Sequence, residues 1–303
     1  VYPEGYESFL SSMSLVNFDF TAILSSSCLF APDFFDRLVL STVAPLVMLL
    51  ACAVTYNIAK TRNRNSNTAG PIVKHKHLSI VLFMVFFVYS SVSFTIFQTF
   101  VCDSLDHDKA YLRADYSIAC FTKRHKAYQI YACLMVFVYP VGIPAFFAFW
   151  LVSHRRQLKN SNREIMSDLK SYRALWGGYR PQCYYYEVVE CGRRIVLTGA
   201  AVFILPGSAD QVAIVLLFAV VFMFVSESLS PFNSKSDMWL YRWGNGIILA
   251  SMYVALLLKV DFDMEGSKSS SAITALLIAA HVFMIFTVAV QAFLLMRALC
   301  ASQ

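Results

Sequence analysis

Charge is what this chain of 303 residues has least of: Asp, Glu, Lys and Arg together make up 15% of it, while 58% is hydrophobic. In a water-soluble domain about a quarter of the residues are charged. The balance therefore excludes an ordinary soluble fold and leaves lipid as the solvent for much of the surface. Catalytic signatures are missing as well. There is no His-Glu-x-x-His pair, no Gly-x-Ser-x-Gly elbow, no phosphate loop and no glycine-rich dinucleotide turn, so neither an enzyme nor a bound cofactor is expected. Internal repeats are absent. Val1 to Ser27 lack the basic start, apolar core and small-residue cleavage site of a secretory signal. A chain that opens on Val1 in this way is expected to continue a larger extracellular portion, with 1–36 as its last stretch.

What the sequence has instead is length without charge, over and over. The hydrocarbon slab is about 30 Å thick and takes roughly 20 apolar residues to cross as a helix. Such runs occur at 38–59, 78–100, 127–153, 184–205, 209–229, 238–258 and 272–295. The expected fold is an all-α polytopic membrane bundle of about seven transmembrane helices over 37–300, with a short tail at 301–303. Its main partner is the lipid bilayer.

The segments between the runs set the orientation. Lys60 to His77 holds Lys60, Arg62, Arg64, Lys74 and Lys76 with no acid. The 154–182 stretch carries Arg155, Arg156, Lys159, Arg163, Lys170, Arg173 and Arg180 against Glu164 and Asp168. Both read as cytoplasmic, because Lys and Arg near span ends resist translocation. The acids of 101–126 and of 259–271 (Asp261, Asp263 and Glu265) fall on the opposite side. The N-terminus is then outside and the C-terminus cytoplasmic, with Lys123, Arg124 and Lys126 as the main dissent. A net charge of +6 arises from these short runs rather than from one basic face, so no nucleic-acid partner is expected. The expected location is the plasma membrane or another membrane with an oxidising outer face.

Several local strings are familiar in their order: Val16-Asn17-Phe18-Asp19-Phe20, Tyr111-Leu112-Arg113-Ala114-Asp115-Tyr116-Ser117, Tyr139-Pro140-Val141-Gly142-Ile143-Pro144, and Tyr186-Glu187-Val188-Val189-Glu190 with Arg193-Arg194. Together they resemble a seven-helix membrane module of large cysteine-rich surface proteins of algae, oomycetes and other protists, whose ectodomains carry growth-factor-like or ephrin-receptor-like repeats. Such proteins are described as similar to transient receptor potential or polycystin channels. The resemblance implies this architecture, with other membrane subunits or an extracellular cysteine-rich assembly as partners.

Within that frame a few residues stand out. Cys102 and Cys120 bracket an outward segment, where an oxidising exterior favours a disulfide; Cys28 can pair with either or with a residue upstream, so connectivity stays open. Cys52, Cys133, Cys183, Cys191 and Cys300 show no metal-ligand spacing and read as small apolar fillers. Asp103, Asp106, His107, Asp108 and Asp115 read as a solvated acidic loop sooner than as a cation site, since no twelve-residue calcium-loop pattern is present. Pro140, Gly142 and Pro144 predict a kink in the third span. Tyr184, Tyr185, Tyr186, Trp176 and Trp239 read as headgroup-level anchors, Phe86, Phe87, Phe94, Phe97, Phe146, Phe147 and Phe149 as lipid-facing or packing rings, and Asn245 and His281 as helix-to-helix hydrogen-bonding groups.

Glu187, Glu190, Arg193 and Arg194 are the sharpest signal. The run from Ile195 to Leu205 is 11 residues, about 16 Å of helix, too short to cross alone. The helix must therefore begin near Tyr184 and carry the four charges into the membrane. Helical spacing lets Glu190 reach both Arg193 and Arg194; Glu227 and Arg242 are expected to extend the network. Two functions fit: an ion channel or transport subunit of transient receptor potential-like type, and a receptor-like or structural anchor for a large extracellular assembly. The linker 230–237 between the fifth and sixth runs is short and lies on the cytoplasmic side, which leaves no room for a re-entrant pore loop of the tetrameric cation-channel kind.

Overall fold

The computed structural model describes residues 8–9, 33–62, 69–106, 109–160, 169, 171–199, 203, 208–260 and 267–301. The chain divides into two units, Leu15–Pro206 and a second formed by Val1–Ser14 with Gly207–Gln303. The larger unit begins with α1 (Phe34–Arg62) and α2 (Ala69–Gln98), followed by a small sheet of β1 (Cys102–Asp106), β2 (Lys109–Leu112) and β3 (Asp115–Ala119). Then come α3 (Lys123–Val138), α4 (Gly142–Ser153) and the one-turn helices α5 (Arg155–Leu158) and α6 (Arg173–Trp176). A 3-10 turn at Pro181–Cys183 leads into α7 (Tyr186–Thr198). The second unit holds α8 (Ala209–Leu229), α9 (Lys235–Lys259) and α10 (Ser267–Ala301).

The fold is mainly helical, as the apolar runs predict. Among the described residues, four helices are long and apolar enough to cross a membrane: Phe34–Arg62, Val73–Gln98, Lys123–Ser153 taken through its break, and Ala209–Leu229. Helix α9 has the length, at 25 residues, but Arg242, Asn245 and its Trp and Tyr residues dilute the apolar run. In α10 the described apolar stretch is Ala275–Gln291. Helix α7 is 13 residues long, about 20 Å, and starts at Tyr186, close to where the length argument requires.

The first helix is fixed at its N-terminal end by three carboxylates. Asp33 Oδ1 accepts from the Asp36 amide at 3.0 Å and Asp36 Oδ2 from the Asp33 amide at 3.3 Å, a reciprocal pair that caps the exposed donors of the first turn. A third donor, the Phe34 amide, gives its hydrogen to Asp115 Oδ2 at 3.2 Å. Asp115 belongs to β3, so the sheet itself supplies negative charge to the positive end of α1. At the other end Lys60 and Arg62 occupy the last turn, where cations complement the helix dipole.

The sheet is the one part of the 101–126 segment that the apolar pattern does not announce. Its order is β1-β2-β3, antiparallel throughout, and Cys102 and Cys120 are joined across it with their Cα atoms 6.4 Å apart. Leu112 and Ile118 turn inward onto Phe35, Leu38, Val92 and Ile96. Asp103 and Asp115 stay half-buried. A short strand set with one buried residue in three or four has too little alternation to read as β from sequence.

The expected break in the third span falls at residues 139–141. Pro140 and Pro144 bring no amide hydrogen, and the Val141 amide reaches back five residues to the Val136 carbonyl at 3.1 Å, a local widening of the helix. Gly142 is required there: a Cβ on it would lie 2.5 Å from the Phe137 carbonyl oxygen. The Tyr139 hydroxyl donates to the Thr42 carbonyl at 2.6 Å, three residues before Pro45 in α1, so the break in one helix is bonded beside a proline in another. The phenylalanine rings of the spans divide by face: Phe147 and Phe97 are buried, while Phe87, Phe94, Phe146 and Phe149 are exposed and suit lipid.

These two glycine environments lead to opposite outcomes. Gly142→Ala should lower the melting temperature in detergent, with a cost of about 1–3 kcal/mol for forcing a methyl against backbone. Gly192→Ala, within α7 and with nothing near its Cβ position, should hold or raise it by up to about 1 kcal/mol. A thermal melt of both variants checks this; equal effects of the two would contradict the geometry.

Candidate functional site

Helix α7 gathers the charges. Glu190 Oε2 accepts from Arg193 Nε at 2.9 Å and Oε1 from Arg193 Nη2 at 2.5 Å, the two-pronged geometry in which a guanidinium binds a carboxylate most firmly. Arg194 Nε reaches the same Oε1 at 3.3 Å. The pair is deep: the side chains of Glu190 and Arg193 are 7% and 12% exposed, against 37% for Arg194. Glu190 thus has both oxygens taken by cations from the next turn of its own helix.

Glu187 finds its partner outside the helix. Its Oε2 accepts the Tyr179 hydroxyl at 2.7 Å, and Tyr179 lies before the 3-10 turn, in the connection leading to α7. Burial and the neighbouring Glu187 carboxylate hold the Tyr179 phenol well above its ordinary range, so it stays protonated and donates. The connection is brought there by Trp176, which is almost fully buried and donates its indole N–H to the Leu169 carbonyl at 3.1 Å. Tyr186 is equally buried, with its ring 5.4 Å from that of Tyr179. Trp176 and Tyr186 are therefore core residues rather than headgroup anchors, whereas Tyr185 and Trp239 are exposed as anchors require. Tyr89 of α2 points its hydroxyl at the Cys191 carbonyl, 3.4 Å away. Each carboxylate thus has a donor, Glu187 the Tyr179 hydroxyl and Glu190 the two guanidiniums.

The remaining charges of the set, Glu227 and Arg242, belong to the second unit, where they bind each other: Arg242 Nε and Nη2 lie 2.7 and 2.6 Å from the two Glu227 oxygens. This is an exposed pair linking α8 to α9. His281 of α10 bonds the Leu277 carbonyl of its own helix at 2.8 Å.

On the sheet side, the described carboxylates have partners within the protein. Asp103 is taken by Arg113, whose Nε lies 3.0 and 2.9 Å from its two oxygens, and by the Tyr116 hydroxyl at 3.0 Å. The Arg113 hydrogen bonds hold the Asp103 carboxyl below the usual range. Asp115 accepts from Ser117 Oγ at 2.7 Å, which lowers its pKa likewise. The side chain of Asp106, and His107 and Asp108, lie outside the described residues. Cys102, Cys120 and His125 come together closely enough to suggest a metal site, but the sulfurs are spent on each other. His125 is fully committed too: its Nδ1 accepts the Phe121 amide at 3.1 Å and its Nε2 meets the Thr99 carbonyl at 3.0 Å.

Against this geometry, comparison with known proteins returns a thin result. No protein-family model matches the chain, and no solved structure does. The chain is 23% identical over 223 residues to "Cysteine repeat modular protein A" of Toxoplasma gondii, an alignment covering 69% of this chain and 7% of that protein. The similarity agrees with the cysteine-rich protist surface proteins that the motifs resemble, and the chain spans only a small fraction of such a protein's length.

Removing one partner of a buried ion pair leaves a charge without compensation, commonly at about 3–5 kcal/mol. Glu190→Gln should accordingly melt well below the parent in detergent. Adding Arg193→Gln to it should recover part of the loss, and more than adding Arg194→Gln does, because Arg193 is the deeper, two-pronged partner. Thermal melts of the four proteins settle the point; unchanged stability in Glu190→Gln would remove the buried pair.

Proposed function

We propose that this chain is a polytopic membrane module that holds a cysteine-rich extracellular assembly at the cell surface. In this reading it crosses the bilayer seven times, with the sheet outside and the Lys/Arg-rich connections in the cytoplasm. The observation that carries it is the construction of the outer end. The sheet is cross-linked by Cys102–Cys120 and bonded to the first turn of α1 through Asp115. It is tied again by Arg124, whose Nη2 lies 2.6 Å from Asp33 and whose guanidinium sits over the Phe35 ring. Such an end joins the sheet to α1 and α3 at several points, as suits an anchor. The similarity to a protein named for its cysteine repeats supports the same reading.

A second reading, an ion channel or transport subunit, draws on one observation: Glu190 and Arg193 among apolar helices, where charged residues commonly mark ion paths. Their mutual pairing weighs toward a lock.

Purified chain reconstituted in a planar bilayer should pass no current above background between −100 and about +100 mV. Discrete, ion-selective openings that vanish in Glu190→Gln would overturn the anchor in favour of the channel.

A further inference from the structure

Between the basic end of α1 and the start of α2 lies a cavity of about 400 Å³, within the range of small-molecule and lipid sites. Its lining follows two helical stripes: Leu49, Cys52, Ala53 and Tyr56 from α1, and Lys74, His77, Leu78 and Val81 from α2, with Tyr172 closing it. The deep part is apolar and the other part is not. Leu49, Ala53, Leu78 and Val81 offer only hydrocarbon, while Tyr56, Lys74, His77 and Tyr172 bring hydroxyls, a cation and an imidazole. His77 Nδ1 donates to the Val73 carbonyl at 2.9 Å, so Nε2 is left as a hydrogen-bond acceptor. The Tyr56 and His77 rings stand edge to face at 5.7 Å, and Tyr172 is stacked on Trp150 at 4.0 Å. Three of the four polar groups are thus held in place by neighbours.

Charge tells which ligand. The polar end lies beside Lys60 and Arg62 in the last turn of α1 and Lys76 in α2, and the sequence from Lys60 to His77 contains no acid. Basic pockets between membrane helices at such a level suit anionic lipid headgroups.

We propose that this cavity binds an anionic phospholipid, with one acyl chain between Leu49, Ala53, Leu78 and Val81, the headgroup phosphate on Lys74 and a headgroup hydroxyl donating to His77 Nε2. Both helices belong to the four that are long and apolar enough to span, so a lipid can enter sideways from the bilayer. The site needs α1 and α2 in a membrane and is independent of whether the chain conducts. It takes its leaflet from the orientation proposed above; its chemistry does not depend on that orientation.

The test is a thermal melt of the full chain in neutral detergent with increasing dioleoylphosphatidylglycerol, against dioleoylphosphatidylcholine and against inorganic phosphate. A saturable rise in melting temperature with the anionic lipid alone is expected, since a ligand of the folded state stabilises it by mass action. Lys74→Gln should weaken the apparent affinity about fivefold, the effect of one basic residue near an anionic surface. Ala53→Phe, which fills the deep part and leaves the charge, should abolish the rise. Lys74 is exposed, so its variant folds whatever becomes of Ala53→Phe. An equal rise with phosphatidylcholine makes the cavity a general lipid groove, a rise with inorganic phosphate alone makes it a surface ion site, and an unaltered affinity in Lys74→Gln removes the headgroup contact. Any of these three results overturns the proposal.

Discussion

Glu190 carries a carboxylate into a part of the chain surrounded by apolar helices, and hydrocarbon cannot solvate it. It is held because the next turn of the same helix returns two guanidiniums to it, one of them in two-pronged contact. That local pairing imposes the rest. Arg193 and Arg194 ride on the same 13-residue helix as Glu190, so the pair moves with that helix, and it is the connection before it, folded back over it, that covers the pair. Trp176, Tyr179 and Tyr186 do so, filling the core with rings and handing Glu187 a hydroxyl. The same core includes Leu82 and Tyr89 from α2 and Phe147, Trp150 and Leu151 from α4.

The opposite end of the larger unit is built on a different principle. There, water is available and ion pairs contribute little on their own, typically under about 1 kcal/mol. Rigidity comes from covalent and backbone-directed contacts: a disulfide, an Asp115 carboxylate on a helix start, and His125 bonded on both ring nitrogens to main chain. A disulfide closing a loop of this length is commonly worth about 2–4 kcal/mol, more than the exposed pairs around it. The Asp103–Arg113 contact then orients the sheet surface rather than holding the sheet together.

The helices were legible because a membrane demands length and apolarity, both of which composition shows directly. The break at residues 139–141 was legible too, since Pro140, Gly142 and Pro144 act through missing donors and a missing Cβ, properties of the residues themselves. Pairing of Glu190 with Arg193 and Arg194 follows from spacing on one helix. What spacing could not give was any contact made through a change of chain direction. Tyr179 is eight residues before Glu187 and reaches it only because of the turn between them; no periodicity encodes that. Trp176 and Tyr186 were misread for the same reason, because amphipathic rings near a span end suit a headgroup level until a folded connection buries them. The sheet was missed because its strands are only four or five residues long and mostly polar.

The central claim is that the Glu190 pair lies in a packed, dry interior and forms a lock rather than a path for ions. Cys191, next to Glu190 and 1% exposed, is a native reporter of that interior. The direct measurement is modification of the folded chain in a bilayer by a small, charged methanethiosulfonate applied to both sides, followed by peptide mapping. The account predicts that Cys191 is unmodified until the protein is unfolded, after which it reacts fully. Modification of Cys191 in the folded protein, from either side, would show that water and ions reach the Glu190 pair and would contradict the lock.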